Sequence, residues 1–144
     1  MRRSLWTVAT AGVAAGATVL VAACAADPVP DAVTGEWRLH SLVASGEDIP
    51  LLEDRPVTMA VSDGKLSGVA ACNRYEAEFA HRRGDIAVIR GPEHTLALCA
   101  APVIEVERAF LGSLPQVERI TAGGDELVLT GPGVRLQFEP EPPS

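Results

Sequence analysis

The sequence predicts an α+β fold, mostly antiparallel β-sheet and partly barrel-like, with about eight short strands and one α-helix over residues 102–114. Three observations carry this. Beyond residue 33 the chain is a series of short segments in which apolar and polar residues alternate, separated by Gly, Pro and Asp. One segment alone, APVIEVERAFLGSL, changes the period from that of a strand to that of a helix. The length, 144 residues, suits one domain with short appendages.

Residues 1–23 stand outside that domain. They hold Arg2 and Arg3, no acidic residue, and an apolar run from Leu5 to Ala23 broken only by Thr and Gly. A basic start, an apolar middle and a small-residue end form the plan of an export signal. Val21-Ala22-Ala23 directly before Cys24 resembles the lipobox of bacterial lipoproteins, which implies a thiol alkylated with diacylglycerol and cleavage that makes Cys24 the new N-terminus. Two or three acyl chains hold a protein on a bilayer, whereas one is marginal. The expectation is an exported protein, anchored through Cys24 on the extracytoplasmic side of a membrane, the outer membrane if the cell is Gram-negative. A plain secretory signal and an uncleaved span are the alternatives, because about 19 apolar residues are enough to cross a bilayer. Residues 24–33, CAADPVPDAV, carry two prolines and two aspartates and read as a flexible tether. Its reach is about 30 Å.

Residues 34–139 supply the domain. GEWRLHSL (35–42) sets Trp37 and Leu39 on one face of a strand and Arg38 and His40 on the other. PVTMAVSDGKLSG (56–68) reads as a hairpin: Val57, Met59 and Val61 alternate, Asp63-Gly64 makes the turn, and Lys65–Gly68 begins the return. NRYEAEFAH (73–81) alternates Tyr75, Ala77 and Phe79 against Arg74, Glu76 and Glu78. His81–Gly84 reads as an exposed turn, with His40 and His81 at the surface. GDIAVIRG (84–91) places Ile86 and Val88 inward, and HTLALC (94–99) gives another short strand. In the helix, Pro102 suits the first position, and Val103, Val106, Phe110 and Leu114 recur at helical spacing while Glu105 and Arg108 face out. Gly112 and Pro115 end it. QVERITAGG, DELVLTG and VRLQFEP form three closing strands between Gly-rich turns, and residues 140–144 are expected to be disordered.

Without the first 23 residues, 10 basic residues stand against 19 acidic ones, a net charge of −9. Such a domain repels nucleic acid and anionic surfaces, whose binding needs clustered Lys and Arg, so no nucleic-acid partner is expected. Candidate chemistry is sparse. His94, Cys99 and Cys72 could supply three zinc ligands, but no C-x-x-C or H-x-x-x-H accompanies them. A Cys99 nucleophile with His94 as its base requires a spatial arrangement that spacing does not supply. Glu105 and Glu107 lie two residues apart on the predicted helix, do not face one another, and read as a solvated face. GPEH and TGPG lack the glycine and lysine pattern of a phosphate loop. No catalytic residue, metal ligand or cofactor is expected.

GVAACNRYEAEF (68–79) followed by GPEHTLALCAAPVIEVERAFLGSL (91–114) resembles the META/HslJ domain family of bacterial envelope proteins. The pattern of that family is a Trp in the first strand, G-C-N-x-Y, G-P…T-x-x-x-C, a helix with an E-x-A-F-L-like run, and a last strand ending in Phe. Here these become Trp37 with Leu39, Cys72-Asn73-Arg74-Tyr75, Gly91-Pro92 with Thr95 and Cys99, Glu107-Arg108-Ala109-Phe110-Leu111, and Leu136 with Phe138. The likeness extends over roughly residues 34–139. It departs at Ala71 and Ala77, where glycine is common, and at Ala97-Leu98, where a methionine usually precedes the second cysteine. The first departure leaves open whether residue 71 takes a glycine conformation.

The reading that follows is a non-enzymatic, monomeric envelope protein, and the resemblance implies a link to envelope stress or tolerance of toxic compounds. Its partners are the membrane, through Cys24, and an envelope protein not identified by the sequence. The alternative is an inhibitor of a lysozyme- or protease-type hydrolase, inserting a loop such as 47–54 or 93–95; a small enzyme is a third reading. Cysteine usage agrees with export. The tetrapeptide VAAC occurs twice, and if the first copy gives Cys24 its lipid, Cys72 and Cys99 remain in an oxidising compartment. Their disulfide would close a loop of about 28 residues and contribute about 3–4 kcal/mol. Two buried free thiols are the alternative. Asn73, beside Cys72, reads as a side chain that satisfies buried backbone groups, with a ligand contact as its alternative.

Overall fold

Period-two alternation becomes nine antiparallel strands in the computed structural model, which describes residues 27–143. In chain order they are β1 (Gly35–Ala44), β2 (Glu47–Asp48), β3 (Thr58–Ser62), β4 (Lys65–Ala70), β5 (Asn73–Arg82), β6 (Ile86–His94), β7 (Arg119–Gly123), β8 (Glu126–Gly131) and β9 (Val134–Pro140). The helix α1 (Ala101–Ser113) and a 3-10 turn (Leu114–Gln116) join β6 to β7. Eight strands pair in the order β1-β3-β4-β5-β6-β7-β8-β9, and β9 pairs back onto β1. The circuit is a closed barrel, which satisfies strand edges internally. β2 is the extra strand, attached to β1 at Val43 and Ala44. The thinnest seam lies between β6 and β7, where Ile86 faces Arg119 and two further backbone bonds join Ala87 to Glu118 and Ile120 to Asp85.

The barrel fills with one side chain in two from each strand. Met59, Leu66, Tyr75, Ile120, Leu129 and Phe138 are buried on it. In β1 the expected pair Trp37 and Leu39 points inward, and then a bulge between Leu39 and Ser41 shifts the phase, so that Leu42 is the next buried residue. The helix buries Val103, Val106 and Phe110, as its spacing predicts, and Phe110 meets Tyr75 edge to face at 5.2 Å. Residue 114, expected within the helix, opens the 3-10 turn instead, because Pro115 cannot continue the ladder.

Four local expectations are corrected. Ala87 and Ile89, not Ile86 and Val88, face the core. Ala87 pairs with His81 and so shares its face, and one residue of phase exchanges every side chain between the two faces. His81 is not a surface residue: it is 7% exposed, the last inward position of β5, and its ring nitrogens have no hydrogen-bond partner among the described residues. HTLALC is not a strand, since β6 ends at His94 and residues 95–100 form a loop. Glu107 belongs to no solvated helix face; it is 5% exposed.

The ends of the domain are more ordered than the composition suggests. Within the segment read as a tether, Asp27 bonds to His81 of β5, Val33 is buried, and the Trp37 indole donates to the Val33 carbonyl at 3.0 Å. Residues 1–26 lie outside the described residues, and with them the export signal and Cys24. Within the tail read as disordered, Pro140 ends β9 and Glu141 accepts two bonds from the Arg38 guanidinium, at 2.6 and 3.1 Å.

Candidate functional site

The start of β5, the loop after β6 and the first turns of α1 converge. Ala71 begins the arrangement with φ of +67°, the left-handed conformation in which a Cβ is strained. The conformation that glycine would favour is therefore kept by an alanine. It turns two consecutive backbone N–H groups, of Cys72 and Asn73, toward the helix. There the carboxylate of Glu107 accepts both through Oε2, at 3.2 and 2.6 Å. Its Oε1 accepts the Asn73 side-chain amide at 2.8 Å. A desolvated carboxylate is costly unless donors surround it, and here three N–H groups do so.

Asn73 uses its whole side chain. Its Oδ1 accepts from the Thr95 hydroxyl at 2.8 Å and from the Ala97 N–H at 2.7 Å. Its Nδ2 donates to Glu107 and, at 3.3 Å, to the Ala97 carbonyl. Thr95 in turn accepts the Arg74 N–H at 3.1 Å. Cys72 and Cys99 are joined in a disulfide, with Cα atoms 6.2 Å apart. The loop from Thr95 to Ala100 is thus pinned in its middle by an amide and at its end by a covalent bond. What it presents is apolar: Leu96 is 85% exposed and Leu98 is 99% exposed.

The residues singled out in the sequence divide into two groups. Asn73, Thr95, Cys72 and Cys99 come together in this site, and Tyr75 and Phe110 pack beneath it in the core. The Tyr75 phenol donates to the Thr58 carbonyl at 3.0 Å, and burial pushes its pKa up. Trp37 and Phe138 lie elsewhere, on β1 and β9, as barrel core. His94 is exposed with Nδ1 against the Thr95 carbonyl at 2.8 Å. With both thiols in the disulfide, neither a zinc set nor a Cys–His pair is formed with it. Among the described residues no three His, Cys, Asp or Glu side chains converge as metal ligands.

Sequence reasoning missed Glu107, although a signal was present. Val103, Val106, Glu107, Phe110, Leu111 and Leu114 follow the i, i+3, i+4, i+7, i+8, i+11 stripe of a buried helix face, so the carboxylate occupies a core position. No comparable signal marked Leu96 and Leu98 as exposed, because alternation around them imitates a strand.

On the outer face of β3, β4 and β5, residues such as Ala60, Ser67 and Val69 floor a shallow groove flanked by Glu36, Glu76, Glu93 and Glu141 and by Arg74 and His94. Among the described residues no helix is long and apolar enough to cross a membrane.

The fold is shared with solved structures of low sequence identity. A protein from Burkholderia xenovorans, solved by NMR, is 22% identical, with a TM-score of 0.66 over 84% of this chain and 94% of that one. A DUF4847 family protein from Bacteroides vulgatus, solved by crystallography, is 12% identical, with a TM-score of 0.56 over 79% and 97%. No curated protein matches the chain. The pattern of the META domain matches residues 31–143, which include the barrel, the helix and the pinned loop. The chain belongs to the META domain family.

Proposed function

We propose that this is a non-enzymatic envelope protein, anchored by lipid at Cys24, which serves envelope stress or tolerance of toxic compounds by contact with another envelope component. One observation supports this reading above others. Cys72, Cys99, Asn73, Thr95 and Glu107, the residues that chemistry would call on, are all engaged in holding one loop that presents leucine to solvent. An arrangement of this kind suits a surface built for contact rather than turnover. The test is crosslinking and pull-down from intact envelopes, with a Cys24→Ala control. Contacts that depend on the anchored form are expected; the same contacts from the control chain would sink the reading. Mass spectrometry of the same material should find diacylglycerol on Cys24.

A second reading is favoured by the outer groove, where Glu36, Glu76 and Glu93 outnumber Arg74 and Glu141 is held by Arg38, a balance that suits a basic enzyme surface. As a hydrolase inhibitor, the domain would abolish lysozyme or protease activity at stoichiometric addition. Full activity at micromolar excess excludes it.

A further inference from the structure

We propose that the Leu96–Leu98 loop is a second membrane contact, inserting its two leucines into the headgroup–acyl boundary of the bilayer that carries the Cys24 anchor. The inference rests on the lipid-anchored reading and assigns this loop to the phospholipid surface, whichever envelope protein the rest of the domain meets.

The loop has the chemistry for it. Leu96, Ala97, Leu98, Ala100, Ala101 and Pro102 are exposed, and no residue from Thr95 to Ile104 carries a charge. The acidic domain as a whole is repelled by anionic surfaces, but the inserted loop itself carries no carboxylate, which suits a zwitterionic surface. The disulfide and the two Asn73 bonds to Ala97 fix the loop before contact, so little further ordering is lost on insertion. A protein partner is less well matched: stable protein interfaces bury roughly 800 Å² per side, well beyond two leucines and a few small neighbours. A weak apolar wedge is instead the kind of second signal that supplements an acyl anchor.

Geometry places the two contacts at opposite ends of β5. Asp27 is bonded to His81, at one end, and Asn73 holds the loop at the other. Eight residues of strand separate them, about 26 Å. Only Ala25 and Ala26 stand between Cys24 and Asp27, a reach of about 10 Å. The anchor therefore keeps the His81 end of β5 at the headgroups. With β5 lying along the surface, its exposed Arg74, Glu76, Glu78 and Arg82 stand at headgroup level, the leucines meet the same bilayer, and the tether makes that second contact intramolecular.

Cys24 is the one thiol outside the disulfide, so the chain from residue 24 onward can be coupled through it to maleimide-headgroup lipid in phosphatidylcholine vesicles. In a Leu98→Trp chain, brominated phosphatidylcholine should quench the added emission at least about twofold, while the parental chain, with Trp37 buried, sets the background. A Leu96→Trp chain serves if the first variant melts early. Emission unchanged by brominated lipid in the coupled chain overturns the proposal. A photo-crosslinker at position 98 in intact envelopes should yield phospholipid adducts; a discrete protein adduct overturns it equally. Absence of diacylglycerol on Cys24 of the native protein would sink the anchored reading, while vesicle quenching still decides the loop.

Discussion

Glu107 and Asn73 are 34 residues apart in the chain and joined by two hydrogen bonds, 2.6 Å to the Asn73 backbone and 2.8 Å to its side-chain amide. With the third bond, to Cys72, they tie the helix to the first residues of β5. Removing the carboxylate leaves the buried Asn73 N–H and one hydrogen of its side-chain amide without an acceptor, while the Cys72 N–H keeps the Ala70 carbonyl at 2.9 Å. Glu107→Ala should therefore cost about 3 kcal/mol in urea unfolding, and Glu107→Gln, which keeps one acceptor, less than that. A loss below about 0.5 kcal/mol for the alanine variant would show that water replaces the carboxylate.

The disulfide acts on the unfolded chain more than on the loop it closes. Replacing both Cys72 and Cys99 with alanine should lower stability by about 3–4 kcal/mol, from lost loop closure. The loop itself should stay in place, because Asn73 still holds Ala97. Hydrogen exchange reads this directly: the Ala97 amide is expected to remain protected in the variant under native conditions.

Ala71 offers the opposite sign. Its left-handed backbone is strained by the Cβ, so Ala71→Gly should stabilise the domain by about 0.5–1 kcal/mol. Ala71→Val, β-branched in the same conformation, should destabilise by more than that gain. Thermal melts of the two variants on either side of the parental chain would verify the conformation.

Gly68 sits where β4 passes close to β3. A Cβ there would collide with the Thr58 carbonyl, which is backbone and cannot rotate away. Gly68→Ala should cost about 1–3 kcal/mol by overpacking. A neutral result in chemical denaturation would mean that the two strands separate more readily than their register suggests.

Leu96 and Leu98 contribute nothing comparable to folding. With both side chains in solvent, Leu96→Ser and Leu98→Ser should each change the unfolding free energy by no more than about 0.5 kcal/mol. A larger loss would mean that the leucines pack within the domain, and it would remove the basis for a contact surface.

Much of the architecture was legible in local pattern. The hairpin around Asp63-Gly64, the alternation Tyr75, Ala77, Phe79 and the helical spacing of Val103, Val106 and Phe110 all appear as expected. Two of the misreadings share one cause. A pattern of two or 3.6 tells which residues belong together but not which group faces inward when the contrast is weak. In IAVI every residue is apolar, so only pairing with His81 puts Ala87 and Ile89 inside. In TLALC the alternation of size looked like a strand, yet Asn73 bonds the backbone at Ala97 and draws it into a loop.

By itself, the sequence determined the class of fold, the family, the order of the elements and the cysteines that could pair, since these follow from period, turn residues and motif. Tertiary structure alone decided which groups the Glu107 carboxylate bonds, that His81 closes the inner face of β5, and that Leu96 and Leu98 stand in solvent. Burial depends on partners distant along the chain. For Glu107 they are N–H groups 34 and 35 residues away, brought to it where α1 packs against the end of β4 and the start of β5.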